Sequence, residues 1–428
     1  MRHNAFPAGV TRESLIAWYR ATRARTRELF ERIPPGAYYE RPISLRNPIV
    51  FYEGHLPVFS VNTLVKMTLG RGGIDSHYET IFERGIDPES EAAVKNPTDA
   101  WPSREDVQAY GVAADALVER TLAEEKVEDE EATFTIIEHE LMHQETLLYM
   151  VHQLPQRGGQ AILPVPPAPT GMIACPPPIS IPAGSATLGA PRDGRFGWDN
   201  EFPELVVDVD AFEIDAHNVT NGDYLAYVEA TGAKPPHFWK RVDGTWHRRG
   251  IFELAPLPLN APVYVTHEEA TAYARWKGAR LPTEAEYHRA AFGTPSGEER
   301  EHPWGDAPPD PTRGNFGFAA WDPVAIGSYP AGASAWGVHD LAGNGWEWTS
   351  TPFAGFPGFE PMPSYLVYSA DFFDNAHYVL KGASPITPVE LIRRSFRNWF
   401  RPNYPYVHAT FRTVRVTSGN STRFPQKG

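Results

Sequence analysis

Two histidines four residues apart are the sharpest chemical feature of this sequence. His139 and His143 lie in the run EHELMHQE at residues 138–145. The apolar residues around them recur with helical periodicity, so both imidazoles are expected on one helix face, close enough to share a metal ion. Two isolated histidines with this spacing are more often polar residues of a helix than a pair of metal ligands. The surrounding residues must distinguish between the two interpretations.

A third imidazole is expected from another helix, because metal sites in helical bundles are assembled from facing helices. His55 is the best candidate, since it lies in the apolar segment PIVFYEGHLP, where a histidine needs a polar partner or a metal. His77, in a polar stretch, and His152, off the helix face of the pair, are weaker candidates. Three neutral imidazoles can hold Fe(II), Zn(II) or Cu(II) and leave positions open for O2, a donor atom or water.

The same residues also match the H-E-x-x-H pattern of zinc peptidases, in which Glu140 would act as general base. The longer form of that pattern requires a glycine and a third histidine where this chain has Thr146 and Tyr149. A zinc peptidase is therefore a poorly supported alternative. A non-catalytic binding module is a second alternative, to be recognised by ligand retention after His139 or His143 is changed to alanine.

The elements that must position these histidines form an N-terminal bundle. Apolar residues recur at helical spacing from residue 11 to about 30 and again around 51–69, 104–122 and 132–154, which predicts a four-helix bundle within residues 1–154. A proline-rich run at 155–180 is the predicted linker. Residues 181–418 alternate short apolar segments with Gly, Asn and Trp, with helices near 220–231 and 266–278. The predicted fold class is α+β, with a loop-rich second domain.

Composition narrows the class of partner. The 428 residues carry a formal net charge of −14, which argues against nucleic acid or an anionic membrane and favours a small-molecule substrate. Cys175 is the single cysteine, so an internal disulfide is excluded. The N-terminus has no apolar export segment, and no apolar run is long enough to span a bilayer, so we expect a cytoplasmic protein.

Five ordered motifs in the second half resemble the formylglycine-generating-enzyme, or sulfatase-modifying-factor, fold, which is C-type-lectin-like. They are Asn218–Tyr224, Arg280–Tyr287, Trp304–Asp306, Gly337–Trp348 and Phe411-Arg412. The resemblance implies that most of these residues shape long loops. It does not extend to formylglycine generation, because that activity would demand a pair of cysteines in this domain.

A DinB-like bundle followed by this domain resembles the EgtB family of ergothioneine-type sulfoxide synthases over nearly the whole chain. The resemblance implies that His55, His139 and His143 hold Fe(II), with O2 as co-substrate. It also implies hercynine, the trimethylated betaine of histidine, as acceptor. A C–S or C–Se bond would form at the imidazole carbon between the two ring nitrogens, giving a sulfoxide or selenoxide.

The resemblance further maps hercynine binding onto Asn398 and Trp399. Two departures concern the other substrate, since Phe400 replaces the aspartate of the well-known family pattern and Met142 replaces a substrate-binding glutamine. The segments NPIVFYEGHLP and MHQETLLYM resemble the selenoneine synthase branch, SenA, which joins a selenosugar to hercynine. An EgtB-type enzyme using cysteine or γ-glutamylcysteine is the alternative.

Tyrosines and arginines complete the set of candidates. Tyr365 and Tyr368 fall roughly where the family has a tyrosine that donates a proton or an electron, although either residue could be a packed core aromatic. Arg394, Arg397 and Arg401 could clamp a carboxylate or sugar hydroxyls, or could pair with acidic side chains of the protein.

Overall fold

The computed structural model describes residues 10–83, 101–127, 131–154 and 176–416. The predicted helical bundle is confirmed. Its helices are α1 (Arg12–Glu31), α2 (Ile49–Ser60), α3 (Ser76–Ile81), α4 (Arg104–Glu124) and α5 (Glu131–Gln153). A π-helical turn over Val61–Thr68 continues α2. The short α3, which the sequence pattern did not predict, packs beside α2.

A buried ion-pair cluster joins α5 to the other helices of the bundle. Arg23 of α1 donates from Nε to Asp115 of α4 at 2.6 Å and from Nη1 to Glu140 of α5 at 2.9 Å. All three side chains are buried. Because a buried charge without its partner is costly, α5 is held with Glu140 facing α1 and α4.

The second domain is the expected loop-rich α+β structure. Its helices are α6 (Asn221–Thr231), α7 (His267–Trp276) and α8 (Glu284–Phe292), and its strands are β1 (Ile179–Ile181), β2 (Gly184–Leu188), β3 (Leu205–Val209), β4 (Phe212–Ile214), β5 (Trp239–Val242), β6 (Thr245–Arg249), β7 (Leu254–Pro256), β8 (Gly345–Pro352), β9 (Tyr378–Ala383), β10 (Asn398–Phe400), β11 (Ala409–Thr410) and β12 (Val414–Val416). The sequence pattern predicted α6 and α7. It missed α8, a nine-residue helix capped by Thr283, because so short a helix gives little periodicity.

One mixed sheet positions the candidate substrate segment. It has the order β10-β9-β8-β11, with β8 antiparallel to β9 and β9 antiparallel to β10. Trp399 of β10 pairs with Val379 of β9. The Asn-Trp-Phe segment is therefore an edge strand, anchored to the sheet on one side.

A fully buried ion pair stabilises the centre of this domain. Arg412 donates from Nε to Glu347 Oε2 at 2.7 Å and from Nη2 to Glu347 Oε1 at 2.6 Å, and neither side chain is exposed. The remaining guanidinium donors bond to the main-chain carbonyls of Asp215 and His339. Two residues of the sequence motifs thus act as scaffold, as the resemblance implied.

Changing Arg412 to methionine is expected to lower the free energy of unfolding by about 3–5 kcal/mol, because Glu347 would keep a buried charge without its partner. Arg415→Met is the control, since Arg415 forms a partly exposed 3.3 Å pair with Asp215 and should cost less than about 1 kcal/mol. Urea denaturation of both variants measures the difference. Equal losses would contradict a special role for the buried pair.

Cys175 and most of the predicted linker lie outside the described residues. The described chain resumes at residue 176, and β1 begins at Ile179, inside the range predicted as linker. Among the described helices, none has both the length and the apolar character needed to cross a bilayer.

Candidate metal centre and adjoining cavity

The three predicted ligands come together in the bundle. His55 of α2 and His139 and His143 of α5 each offer one ring nitrogen, and these nitrogens all lie within 4.8 Å of one another. The ring centroids are 5.2 Å apart for His55 and His139, and 4.2 Å apart for His139 and His143. Three imidazole nitrogens clustered this closely are a candidate set of ligands for one metal ion.

Hydrogen bonds to main-chain carbonyls select the tautomer of two ligands. His55 Nδ1 lies 2.9 Å from the Phe82 carbonyl oxygen, and His143 Nδ1 lies 3.0 Å from that of His139. Since a carbonyl only accepts, each Nδ1 carries the proton and each Nε2 presents a lone pair. Burial, with a smaller contribution from His55, lowers the pKa of His143 to about 3, so its imidazole is neutral near pH 7. The donor set therefore fits a divalent transition metal.

Aromatic rings hold the ligands in place. Phe59 stacks on the imidazole of His139 with centroids 3.6 Å apart and an interplanar angle of 12°. Phe51 stacks on His55 at 5.0 Å. These contacts restrict rotation of both imidazoles, so the ligands are already oriented by packing.

The weaker ligand candidates lie elsewhere. His77 is exposed on α3. His152 is buried between the domains, where Nε2 donates to the Arg249 carbonyl oxygen and Nδ1 accepts from His408 Nε2, both at 2.9 Å. Both nitrogens of His152 thus have partners inside the protein, and neither histidine belongs to the metal centre.

A cavity of about 290 Å³ adjoins the metal centre at the domain interface. His55 and His143 line it from the bundle, whereas His139 is not among its lining residues. Eight other predicted site residues line the same cavity, namely Met142, Tyr365, Tyr368, Arg397, Asn398, Trp399, Phe400 and Arg401, whereas the candidate Arg394 does not. The structure thus places the predicted substrate residues next to two of the predicted ligands.

The edge strand β10 presents its side chains in fixed orientations. Trp399 lies flat on Phe353, with centroids 4.2 Å apart and an angle of 7°. Asn398 Oδ1 accepts from the Trp399 main-chain N–H at 2.9 Å, which leaves the carboxamide NH2 available to a ligand. Phe400 stacks on Tyr404 at 5.0 Å. This wall therefore combines aromatic faces with an amide.

The three candidate arginines differ in the partners they have. The guanidinium of Arg397, though at the cavity, donates to both oxygens of Glu284 and to the carbonyls of Asn200 and Ala354. Arg394 donates to Glu299 at 2.7 Å and does not line the cavity. Arg397 and Arg394 thus form ion pairs within the protein, and a substrate-binding role for Arg397 stays a prediction. Arg401 is exposed at the cavity.

The two candidate tyrosines have distinct surroundings. The Tyr365 ring lies 6.1 Å from the His139 ring and 5.3 Å from that of Phe59. Tyr368 is buried, stacks on Trp198 at 4.0 Å and donates from its hydroxyl to Met142 Sδ at 3.2 Å. Tyr365 is thus the tyrosine adjoining the metal ligands, while Tyr368 orients Met142.

Several cavity residues were not predicted. Arg46 reaches the cavity from the loop before α2 and donates from Nε to the Tyr404 hydroxyl at 3.0 Å. Tyr52, Glu145 and Tyr149 line it from α2 and α5. Helical spacing from His55, three residues further along α2, could have found Tyr52. Glu145 and Tyr149 lie two and six residues after His143, off its helix face, and no sequence signal joins Arg46 to Tyr404.

The chain combines a helical bundle that carries the histidine cluster with a loop-rich second domain. Comparison with family models identifies both domains. The DinB superfamily matches residues 19–154, and the sulfatase-modifying factor enzyme 1-like domain matches residues 166–417. Together with the relatives described next, these matches show that the chain belongs to the EgtB-type family.

Curated relatives match different shares of the chain. The hercynine oxygenase of Mycolicibacterium thermoresistibile is 37% identical over 62% of this chain and 65% of its own length. That of Mycolicibacterium smegmatis is 36% identical over 62% of this chain and 67% of its own length. Ergothioneine biosynthesis protein 1 of Neurospora crassa is 30% identical over 90% of this chain and 55% of its own length. The chain thus spans between about half and two thirds of these relatives.

Proposed function

We propose that this protein is an O2-dependent non-haem iron enzyme that forms a carbon–chalcogen bond on the imidazole ring of hercynine. The observation that carries the proposal is the shared cavity, where two of the three clustered histidines adjoin the Asn398-Trp399 segment. The family relatives named hercynine oxygenase support the choice of acceptor.

The cavity suits a trimethylated betaine. A quaternary ammonium group has no N–H to donate, so aromatic faces such as that of Trp399 are its natural partners. The amide of Asn398 can donate to the carboxylate or to the imidazole of the same ligand. An acceptor held this way extends from β10 toward the histidines of α5.

The overall reaction consumes one dioxygen. The acceptor loses the hydrogen on the ring carbon and the donor loses its chalcogen hydrogen, and a bond forms between the two atoms. One oxygen atom is transferred to the chalcogen, and the other leaves as water with the two hydrogens. Fe(II) held by the three imidazoles would supply the redox chemistry that activates dioxygen.

Tyr365 is the proposed proton donor for this reaction. It lies beside the ligand His139, and its loop is fixed to α5, since Ser364 Oγ donates to Glu131 at 2.7 Å and lies 2.9 Å from Thr135 Oγ1. A hydroxyl on a loop attached to the metal-bearing helix keeps a constant distance from the ligands. The Tyr368 hydroxyl donates to Met142 Sδ.

The donor is proposed to be a selenosugar rather than an amino acid or peptide thiol. A donor with an amino group would need a carboxylate in the cavity. Among the described lining residues Glu145 carries the only one, and its oxygens accept from Trp346, Ser384, Thr387 and Tyr149. Phe400, Tyr404 and Arg46 instead offer aromatic faces and hydrogen-bond donors, which suits a neutral, hydroxyl-rich ring.

Mass spectrometry of products tests this function. Fe(II)-loaded protein receives hercynine, O2 and an equal mixture of a selenosugar, cysteine and γ-glutamylcysteine. A selenium adduct of hercynine is the expected product. A sulfoxide would establish the EgtB-type alternative, and no adduct from iron-loaded protein would refute the hercynine proposal.

Phe400→Asp is expected to shift donor preference by roughly tenfold toward cysteine or γ-glutamylcysteine, because a carboxylate can form a charge-assisted hydrogen bond with the donor's ammonium group. The ratio of the two products in the same competition assay measures the shift. Phe400→Asn, which has the size of aspartate without its charge, is the control and should not shift the ratio toward the sulfur product. An unaltered ratio in Phe400→Asp would show that this position does not select the donor.

The zinc peptidase alternative lacks its general base. The Glu140 carboxylate is paired with Arg23 inside the bundle and is not among the cavity residues. A base that activates a metal-bound water must reach the open side of the metal. The structure therefore favours the synthase.

A further inference from the structure

Three buried glutamates of α5 have different partners. Glu140 bonds within the bundle, whereas Glu138 and Glu145, on either side of the histidine pair, bond to the second domain. The two lie seven residues apart, which is about 10 Å along a helix. The segment that carries His139 and His143 is therefore attached to the second domain at both ends.

The attachment at Glu138 is bidentate. Arg393 donates to Glu138 Oε1 at 2.8 Å and to Oε2 at 2.9 Å, and Trp198 Nε1 donates to Oε2 at 2.9 Å. Arg393 lies five residues before the candidate substrate strand β10. This contact therefore sets how far the start of the substrate segment lies from the metal-bearing helix.

The attachment at Glu145 gathers donors from the central strands of the sheet. Trp346 Nε1 of β8 and Ser384 Oγ, just after β9, donate to Oε1 at 2.7 Å, and Thr387 Oγ1 donates to Oε2 at 2.8 Å. The carboxylate is 5% exposed. Strand β10 pairs with β9, so fixing β8 and β9 also fixes the edge strand.

We propose that Glu138 and Glu145 are positioning residues that set the distance between the histidine centre and the hercynine segment. This inference rests on the proposed function and deepens it. All three histidines belong to the bundle, and Asn398 and Trp399 belong to the sheet, so neither group fixes its separation from the other. The two carboxylates are buried contacts that join α5 to that sheet and to the segment leading into β10.

Glutamate-to-aspartate changes test the proposal, because they keep the charge and shorten the side chain by one methylene. In Glu138→Asp and Glu145→Asp, the shorter carboxylate must either lose hydrogen bonds from the second domain or bring the two domains closer together. Glu140→Asp is the matched control, since it lies on the same helix, is equally buried and contacts the bundle alone. Fe(II) affinity, hercynine affinity of the metal-free protein, and kcat are measured for each.

We expect the two substitutions to lower turnover without lowering the binding affinities. Fe(II) and hercynine affinities should stay within about twofold of those of the unchanged protein, while kcat falls about 10- to 100-fold in Glu138→Asp and Glu145→Asp, because misplacing reacting groups by about 1 Å costs that much. Glu140→Asp should lower the melting temperature and leave kcat unchanged.

Two results would overturn the proposal. The first is that Glu138→Asp and Glu145→Asp have the same kcat as Glu140→Asp. The second is that Fe(II) affinity falls as much as kcat does, because the substitutions would then act on the metal ligands themselves. Thr387→Val, which removes one donor from the sheet side, repeats the test if Glu145→Asp does not fold, with kcat expected to fall about threefold. Failure of the unchanged protein to convert hercynine would instead refute the proposed function.

Discussion

Replacing His139 by alanine is expected to abolish stoichiometric Fe(II) binding and to lower the rate of hercynine conversion by about a thousandfold or more. Loss of a residue that merely orients a ligand typically costs 10- to 100-fold, and loss of the ligand itself should cost more. Only two imidazoles would remain, and His139 is also the ligand that packs against Phe59. Iron content and product formation are the two measurements.

His77→Ala is the matched control, because His77 is an exposed histidine of the same bundle. It should keep full iron content and full activity. A comparison of the far-ultraviolet circular dichroism of both variants separates metal loss from unfolding. Full iron occupancy in His139→Ala would contradict the assignment of the metal centre.

Changing Tyr365 to phenylalanine is expected to lower kcat about 100-fold while Fe(II) and hercynine affinities stay the same. The substitution removes only the hydroxyl, so the ring contacts with His139 and Phe59 remain. A positioned general acid typically contributes between 10²- and 10⁴-fold to the rate. Single-turnover kinetics with preloaded iron and saturating substrates measures the chemical step.

Tyr368→Phe supplies the comparison for this second prediction. It removes the hydrogen bond to Met142 but leaves the stacking on Trp198, so a loss of no more than about fivefold is expected. If Tyr368→Phe shows the larger loss, the proton-donor assignment belongs to Tyr368 instead.

The histidine cluster of the candidate metal centre was predictable because its main sequence signal is local. Helix geometry places His139 and His143 side by side, and the apolar surroundings of His55 mark it as the partner from a second helix. The family resemblance then supplied the substrate segment, since nothing in the residues alone distinguishes Trp399 from a core tryptophan. Both halves of the fold followed from periodicity and from the spacing of the loop motifs.

What escaped prediction depends on contacts between distant parts of the chain. Arg46 and Tyr404 lie 358 residues apart, and their hydrogen bond exists only after the domains pack. The residue type of Arg397 suggested that it could bind a carboxylate or sugar hydroxyls of a substrate. The sequence could not show that its guanidinium donates to Glu284, 113 residues away. Residue type and local spacing cannot say which of 53 acidic side chains will meet a given arginine.

The one-sided approach to the candidate metal centre bears on the configuration of the proposed product. Phe59 covers the His139 ring, and the cavity reaches the centre beside His55 and His143. A chalcogen that carries two different carbon substituents and one oxygen is a stereogenic centre. Because the acceptor and the donor of the proposed reaction would meet in one cavity, oxygen should be transferred to a single face, and chromatography of the freshly formed adduct should show one of the two diastereomers at that atom.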